Sequence, residues 1–192
     1  TGHLPLSQVA PAITRENIRS KLDILIKSLQ IDFGIARPVI AVLGLNPHAG
    51  ENGFIGKEEE EIIRPAIIEA KKSGDIIMGP YSADGFFGAM NHKKFDAILA
   101  MYHDQGLIPF KMLHFQDGVN YTAGLPFVRT SPDHGTAYEI AGKNEADPAS
   151  FKSALFMALD IFRARDRHNK DIANAVRKTP KPSNCSTRRS NF

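Results

Sequence analysis

Two short apolar runs that lead directly into polar residues dominate the hydrophobic pattern of this chain. Residues 39–45 and 95–100 have the length of buried strands, and the first run is apolar on both faces, as in parallel strands covered by helices. The first run leads to His48 and the second to His103. Because ligands of α/β proteins bind outside the carboxyl ends of the strands, these two strand ends predict a site.

Three segments carry the spacing or the capping residues of helices. Thr14 is a suitable N-cap for a helix that stops near Gly34. Residues 58–72 predict a second helix whose four consecutive glutamates form a solvated first turn, and Pro65 predicts a kink or a late start. Asp147 predicts the cap of a long third helix. Its apolar face, which we assign to the core, comprises Phe151, Ala154, Leu155, Ala158, Leu159 and Phe162.

Further extended segments are predicted at residues 75–80 and 118–125. Together with the two apolar runs and the helices between them, they predict an α/β fold. Asp84 lies in the loop after the first of these segments, and two roles remain open for it. It could cap the next short helix, or its carboxylate could face the two histidines.

Composition narrows the class of protein without giving a function. The chain has 192 residues, of which 42% are hydrophobic and 23% are charged, as is ordinary for a globular protein with one domain or two unequal lobes. The net charge is +3, and basic residues cluster at the C-terminal end, where we expect disorder from about Lys178. The body carries no basic stripe interleaved with aromatic residues, so no nucleic-acid partner is expected.

Cysteine usage and hydropathy bear on the compartment. Cys185 is the only cysteine, which excludes an internal disulfide and a cysteine-based zinc motif, and we expect a reducing, cytoplasmic location. The sequence shows no signal peptide and no apolar run long enough to span a membrane. The chain begins at Thr1 with residues typical of a domain interior, so we expect a fragment or a processed chain.

Five residues are candidates for chemistry because of their surroundings. His3, His48 and His103 lie in turn-like contexts rich in glycine or proline, and three imidazoles suit a catalytic divalent metal such as zinc. Their spacing equally allows hydrogen-bonded histidines in tight turns. Lys111 and Arg129, set among apolar neighbours, are candidates for binding an anionic substrate, with ordinary surface charges as the alternative.

Several long motifs, in the right order, make the chain resemble the 4-hydroxythreonine-4-phosphate dehydrogenases, a family of pyridoxal phosphate biosynthesis. The resemblance runs from Thr1 to about Arg163 and leaves the tail uncovered. The motifs are HLPL at 3–6, GLNPHAGE at 44–51, MYHDQGL at 101–107, GVN at 118–120, GLPFVRTS at 124–131 and DHGTA at 133–137.

This resemblance implies a fold like that of the isocitrate and isopropylmalate dehydrogenases. Such a fold has two α/β lobes with the active site between them, in a homodimer that shares this site across its interface. Residues 1–165 would be the C-terminal portion of the dehydrogenase, and residues 166–192 a helix end and a basic tail. The N-terminal part of the family, which would precede this chain, supplies a His-Thr pair that holds substrate.

The resemblance also implies a metal site. A divalent metal, often zinc and otherwise magnesium or cobalt, would bind to His3, His48 and His103, with one of the three histidines coming from the partner subunit. Asp84 matches an acidic catalytic residue near this metal. Gly85 follows it where the family has threonine, so the local hydrogen bonding is expected to differ.

The substrate contacts of the family fall on Lys111, Asn120 and Arg129, and Lys111 is also the candidate proton shuttle. The reaction that the resemblance implies is NAD-dependent oxidation of the C3 hydroxyl of 4-phosphooxy-L-threonine. Loss of carbon dioxide follows and gives 3-amino-2-oxopropyl phosphate, a precursor of pyridoxal 5'-phosphate (vitamin B6).

A more distant likeness concerns the cofactor. Residues 134–147 resemble the adenosine-binding segment of isopropylmalate dehydrogenases, which implies NAD contacts at His134, Glu139 and Asp147. Glu139 would accept hydrogen bonds from the ribose hydroxyls. A carboxylate at this point repels a 2′-phosphate and therefore favours NAD over NADP.

Two alternatives remain open beside this function. A paralogous dehydrogenase could act on four-carbon sugar-acid phosphates, such as threonate or erythronate 4-phosphate, because the motifs do not separate these substrates. A fragment could also be an inactive metal- and phosphate-binding module. An apolar seam exposed where another lobe should sit would support this second alternative.

Overall fold

The computed structural model describes residues 1–133 and 138–175, in which helices alternate with parallel strands before a short antiparallel pair. The elements are, in chain order, α1 (Leu6–Ala12), α2 (Arg15–Ile31), β1 (Val39–Leu43), α3 (Arg64–Lys72), β2 (Ile76–Tyr81), α4 (Ala83–Gly88), β3 (Ala97–Leu99), α5 (His103–His114), β4 (Val119–Tyr121), β5 (Thr130–Pro132) and α6 (Ala149–Asn174).

A three-stranded parallel sheet in the order β2-β1-β3 forms the centre of the first part of the chain. Side chains of a strand point alternately to its two faces. Ile40 and Val42 of β1 are buried against α2 and α3, while Ala41 and Leu43 are buried on the opposite face with Phe86 of α4. The central strand is therefore covered on both faces, as its apolar pattern predicts.

Capping residues predicted the starts of two helices. The Thr14 hydroxyl accepts a hydrogen bond from the Asn17 amide at 3.2 Å at the N-terminus of α2. Asp147 Oδ1 accepts one from the Ala149 amide at 2.8 Å, which caps α6. Each side chain satisfies a backbone N–H that the first helical turn leaves without a partner.

The polar segment after β3 is a helix that the hydrophobic pattern did not predict. α5 begins at His103 and contains Gly106 and Pro109. Both residues lower helix propensity, so the segment lacks a clear helical signal. The strand predicted at residues 118–125 is shorter than expected and ends at Tyr121. After Tyr121 the chain reverses direction and returns as β5, which pairs antiparallel with β4.

One of the four glutamates predicted to form a solvated turn is completely buried. Glu60 and Glu61 are exposed, but the exposed fraction of Glu59 is 0%. A single π-helical turn, Glu59–Ile63, precedes α3 and carries Glu59 into the interior. Pro65 stands in the first turn of α3, in agreement with the predicted late start. The sequence prediction is wrong for Glu59, because a run of identical residues does not reveal which one faces inward.

α6 buries a narrower face than its apolar pattern predicts. Ala154 and Ile161 are buried, and the Thr130 hydroxyl of β5 donates to the Ala154 carbonyl at 2.8 Å. Phe151 and Phe162 are 62% and 64% exposed, so their predicted place in the core is wrong within this chain. The reason is that the small β4–β5 pair covers only one side of the helix. We call the open side the α6 apolar stripe: Phe151, Leu155, Phe156, Leu159 and Phe162.

The C-terminal boundary predicted at residue 165 lies inside α6, which continues to Asn174. The disorder predicted from about Lys178 concerns residues outside those that the structure describes. Among the described residues, no helix combines the length and the apolar character that crossing a membrane requires.

A charged network joins the end of α2 to α6. The side chain of Asp32 is 4% exposed, and Arg165 donates to it through Nε at 2.7 Å. The hydroxyls of Tyr121 and Ser28 also donate to this carboxylate. Burial alone would raise the pKa of Asp32, but the hydrogen bonds from these three side chains outweigh burial, and its pKa is lowered.

We expect Asp32 to make the free energy of unfolding decrease in acid. Its folded pKa lies below its unfolded value of about 3.9. Its contribution is therefore complete above the unfolded pKa and is lost as the pH falls through the folded pKa. When urea unfolding is measured from neutral pH down to about pH 3, the free energy of unfolding should fall more for the parent than for Asp32→Asn. An equal fall in the two proteins would contradict this assignment.

Candidate functional site

The carboxyl ends of β1, β2 and β3 lie along one edge of the sheet, because the three strands are parallel. His48 follows β1, Asp84 lies in the first turn of α4 after β2, and His103 begins α5 after β3. All three residues are exposed. The fold therefore brings to a single edge three predicted site residues that are far apart in sequence.

His3 lies at the same edge, next to His103. The centroids of the two imidazole rings are 5.0 Å apart, and the ring planes are inclined by 51°. The Thr1 hydroxyl donates to the Met101 carbonyl at 2.8 Å and holds the segment before His3 against the end of β3. Two of the three predicted histidines are thus neighbours in the folded chain.

Asp104 orients the imidazole of His103. Its Oδ1 lies 2.8 Å from His103 Nδ1, and both side chains are exposed. A carboxylate that holds one ring nitrogen fixes the tautomer and leaves the other nitrogen free to act as a ligand atom. His103 is therefore oriented to bind through Nε2.

The loop Pro47–Gly53, here called the His48 loop, has a left-handed backbone. His48 has φ 52°, and φ remains positive through Asn52. Residues with a side chain rarely adopt this conformation, so contacts outside the loop must stabilise it.

Asp84 lies in the first turn of α4, one turn after β2 and on the same side of the sheet as the His48 loop. The N-cap of α4 is Ser82, whose hydroxyl donates to the Asp84 carboxylate. This hydrogen bond, the backbone amide of Gly85 and the positive charge of His48 lower the pKa of Asp84. Whether Asp84 supports the first turn of α4 or faces the histidines stays a prediction.

Gln105 joins the ends of β1 and β3. Its Nε2 donates to the Gly44 carbonyl at 2.7 Å, and its Oε1 accepts from the Met101 amide at 2.8 Å. Gly44 leads into the His48 loop, and Met101 leads into α5. The Gln105 amide group therefore fixes the spacing between the two segments that carry His48 and His103.

A complete three-residue metal site is not formed by residues 1–133 and 138–175 of one chain. In these ranges no three His, Cys, Asp or Glu side chains converge closely enough to hold an ion. The structure brings His3 and His103 together and leaves His48 on the same edge outside a common ligand set. The set of three histidines with one from the partner subunit stays a prediction.

The predicted substrate contacts lie on separate elements after β3. Lys111 is on α5, with Nζ 4.0 Å from Asp133 Oδ2. Asn120 is exposed in the middle of β4. Arg129 precedes β5, and its Nη1 donates to the Thr122 hydroxyl at 2.8 Å. Lys111 and Arg129 are exposed, so their positive charges are accessible to an anion.

The predicted cofactor contacts are described only in part. His134 lies outside the residues that the structure describes. Glu139 is exposed in the short turn Tyr138–Ile140, and Asp147 caps α6 through Oδ1. The predicted role of these residues in binding NAD stays untested.

Comparison with known proteins gives the family. The family model described as "Pyridoxal phosphate biosynthetic protein PdxA" matches residues 1–158. The chain belongs to this family.

PdxA relatives resemble most of this chain. It is 57% identical over 178 residues to the 4-hydroxythreonine-4-phosphate dehydrogenase of Bacteroides thetaiotaomicron, a match that covers 93% of the chain and 49% of the relative. Identity to the Desulforapulum autotrophicum dehydrogenase is 53%, over 82% of the chain and 46% of the relative. The chain spans about half the length of these relatives. The Bacteroides match is long enough to extend past Arg163, where the sequence resemblance was expected to end.

Solved structures confirm a mixed α/β fold with a parallel sheet. The 4-hydroxythreonine-4-phosphate dehydrogenase of Klebsiella pneumoniae has a TM-score of 0.72 at 41% identity, covering 83% of this chain and 49% of that one. The terephthalate 1,2-cis-dihydrodiol dehydrogenase of Burkholderia xenovorans LB400 has a TM-score of 0.65 at 30% identity, with 82% and 50% covered.

Sequence reasoning missed several side chains at the site of this PdxA chain. Asp104, Gln105 and Asp133 lie inside the PdxA motifs, but only the folded structure shows which atoms they contact. Glu59 lies outside the motifs, and its burial behind the His48 loop has no signal in the hydrophobic pattern. The PdxA motifs therefore mark the exposed residues of the site better than the buried ones.

Proposed function

We propose that this PdxA chain belongs to an NAD-dependent 4-hydroxythreonine-4-phosphate dehydrogenase. The reaction would be oxidation and decarboxylation of 4-phosphooxy-L-threonine to 3-amino-2-oxopropyl phosphate in pyridoxal 5'-phosphate biosynthesis. The observation that carries this proposal is the pair His3 and His103, 5.0 Å apart at the strand ends, in a chain 57% identical to a dehydrogenase of that name.

The two imidazoles fit a divalent metal. With Zn–N distances of about 2.0–2.1 Å, two imidazoles on one tetrahedral ion have ring centroids roughly 5 Å apart. The centroids of His3 and His103 are 5.0 Å apart, and Asp104 leaves Nε2 of His103 free. His48 would complete the ligand set across the subunit interface of a homodimer, with one of the three histidines from the partner subunit.

The chain's own residues would bind substrate and move its proton. When bound, the metal would lower the pKa of the substrate hydroxyl, and NAD would take up the electrons of the oxidation. Lys111 would shuttle the hydroxyl proton, with Asp133 orienting its ammonium group from 4.0 Å. Arg129 would hold an anionic group and Asn120 a polar one. Asp84 would be the acidic residue near the metal, with its carboxylate held by the Ser82 hydroxyl.

The carboxylate of Glu139 supports NAD as the cofactor. It is exposed and could accept hydrogen bonds from the ribose hydroxyls, whereas a 2′-phosphate would be repelled. His134 and Asp147 are the other proposed contacts of the cofactor.

The proposed architecture has two lobes, like the isocitrate dehydrogenases. Support comes from the two separate sheets, the parallel β2-β1-β3 and the antiparallel β4-β5, which α5 connects. His48, Asp84 and His103 come from the first sheet's edge, and Asn120 and Arg129 from the second sheet. A substrate that contacts both groups would lie between the two lobes.

A second candidate is a dehydrogenase for a related substrate. The similar fold of the terephthalate dihydrodiol dehydrogenase, at 30% identity, favours the view that this architecture accepts different hydroxyl substrates. Threonate or erythronate 4-phosphate would offer Arg129 and Lys111 the same phosphate group.

A third candidate is a metal- and phosphate-binding module without activity of its own. The exposed α6 apolar stripe favours it, because a face of several large apolar side chains normally packs against another part of a protein.

The test compares this chain with a chimera in which the N-terminal half of the Bacteroides relative precedes it. We expect the chimera to reduce NAD with 4-phosphooxy-L-threonine faster than with either four-carbon sugar-acid phosphate, and NADP to be a poorer acceptor. Faster turnover of threonate or erythronate phosphate would support the second candidate. Zn²⁺ binding without turnover of any of the three phosphates would support the third.

A further inference from the structure

Glu59 places a carboxylate in the interior directly behind the His48 loop. Its exposed fraction is 0%. Oε1 accepts hydrogen bonds from the backbone amides of Leu45 and Asn46, both at 2.7 Å, and Oε2 accepts one from Asn46 Nδ2 at 2.9 Å. The other hydrogen of this Asn46 amide group goes to Glu58 Oε2 at 2.8 Å. Every donor of this cluster is therefore used.

The buried Glu59 carboxylate needs hydrogen-bond donors around it. Among the described residues no lysine, arginine or histidine forms an ion pair with it, so its hydrogen-bond partners are N–H groups alone. An apolar residue at this position would leave the Leu45 and Asn46 amides and the Asn46 side-chain NH₂ group without this acceptor. The donors to this carboxylate all belong to the segment that leads into the His48 loop and none to α3.

The His48 loop is built around this carboxylate. A Cβ added to Gly50, which has φ +78°, would lie 2.6 Å from Glu59 Oε2. A Cβ added to Gly44 would lie 3.1 Å from Glu59 Oε1. The loop can thus approach the carboxylate at two points only because both residues are glycines.

The left-handed backbone makes this support necessary. His48, Ala49, Glu51 and Asn52 all have positive φ, a backbone conformation that persists for residues with a side chain only when the surrounding structure holds it. Glu59 fixes the two residues, Leu45 and Asn46, from which the loop departs. The conformation of His48 is thus determined from the interior side of the loop.

We propose that Glu59 is a positioning residue that holds the His48 loop in the conformation in which the His48 imidazole binds its ligand. This inference rests on the proposed function in one respect, because it takes the ligand of His48 to be a divalent metal. Glu59 itself touches neither metal nor substrate.

Glu59→Gln is the informative substitution. A glutamine has one acceptor oxygen, and if this oxygen accepts from the Leu45 and Asn46 amides, its NH₂ group faces the Asn46 NH₂ group. Two donors then oppose each other in the interior, and the loop has to move. Glu60→Gln is the matched control, because Glu60 is the adjacent residue, is exposed and pairs only with Arg64 at 2.9 Å among its described contacts.

The experiment measures Zn²⁺ affinity of the full chain, and of the chimera described above, by competition with a chelating dye. We expect Glu59→Gln to weaken Zn²⁺ binding by about 10–100-fold, the usual effect of losing an outer-shell partner, and Glu60→Gln to leave it within twofold. In the metal-free protein, the imidazole resonance of His48 should shift in Glu59→Gln, while that of His114 stays in place.

Unchanged Zn²⁺ affinity together with an unchanged His48 resonance in Glu59→Gln would overturn the proposal. If Glu59→Gln does not fold, Asn46→Ala replaces it, because this change removes one bond to Glu59 and retains both backbone bonds. A folded Asn46→Ala protein with the His48 resonance of the parent would also overturn it. If neither the parent chain nor the chimera binds Zn²⁺, the metal of the proposed function is wrong, and the His48 resonance alone decides the role of Glu59.

Discussion

Replacing His103 with alanine is expected to lower the Zn²⁺ affinity of the protein by more than about 100-fold. Loss of an outer-shell partner costs roughly 10–100-fold, and a residue that itself binds the metal should cost more. His103 lies 5.0 Å from His3 between ring centroids, and Asp104 orients it with Nε2 free. Elemental analysis should find about one divalent metal per parent chain and none in His103→Ala.

His114→Ala is the matched control for this experiment. His114 lies on the same helix, is exposed, and has Nδ1 3.2 Å from Asp117 Oδ1, so it resembles His103 with Asp104 in its chemistry. It lies at the other end of α5, away from the strand ends. Full metal occupancy in His103→Ala, or equal loss in both variants, would show that the histidines at the strand ends do not form the metal site.

Replacing Arg165 with alanine is expected to lower the free energy of unfolding by about 3 kcal/mol. Removing one partner of a buried pair typically costs about 3–5 kcal/mol, and the lower end applies because Arg165 is 20% exposed while Asp32 is 4% exposed. The substitution would leave the Asp32 carboxylate buried without its cation. The Leu125 carbonyl would lose a hydrogen bond of 3.0 Å as well.

Thermal unfolding measures this effect. For a chain of this size, a loss of about 3 kcal/mol corresponds to a decrease in Tm of roughly 6–12 °C. Arg163→Ala is the control, because Arg163 is on the same helix, is 69% exposed and lies 3.7 Å from Asp160 in an exposed pair. Such surface pairs contribute about 0–1 kcal/mol. Similar decreases in Tm for the two variants would contradict a special role for the Asp32–Arg165 pair.

Local sequence signals predicted much of the first sheet and its helices. The alternation within β1 fixes Ile40 and Val42 on one face and Ala41 and Leu43 on the other, and this requires only the two-residue period of a strand. Thr14 and Asp147 marked their helices because capping is a contact between residues two or three apart. The PdxA motifs located the exposed residues of the site for a similar reason, since each motif is local.

The failures have a common cause in contacts between distant segments. Glu59 has the same neighbours in sequence as Glu60, and only the position of the β1 end decides which of the two is buried. The apolar pattern of α6 predicted burial correctly for Ala154 and wrongly for Phe151, because burial depends on what covers the helix. α5 was missed because Gly106 and Pro109 lower its helix propensity, so its own residues give no clear helical signal.

By itself, the sequence determined the α/β class, the parallel character of β1, two helix caps and the family to which the chain belongs. Local periodicity and continuous motifs carry all of these. Only the tertiary structure placed His3 beside His103, Asp32 beside Arg165, and Glu59 behind the His48 loop. Each of these contacts joins segments that are separated along the chain, and its formation depends on the order β2-β1-β3 and on the packing of α2 against α6. No local pattern of residues encodes that arrangement, because the free energy of burial is decided by all the elements that meet at one place.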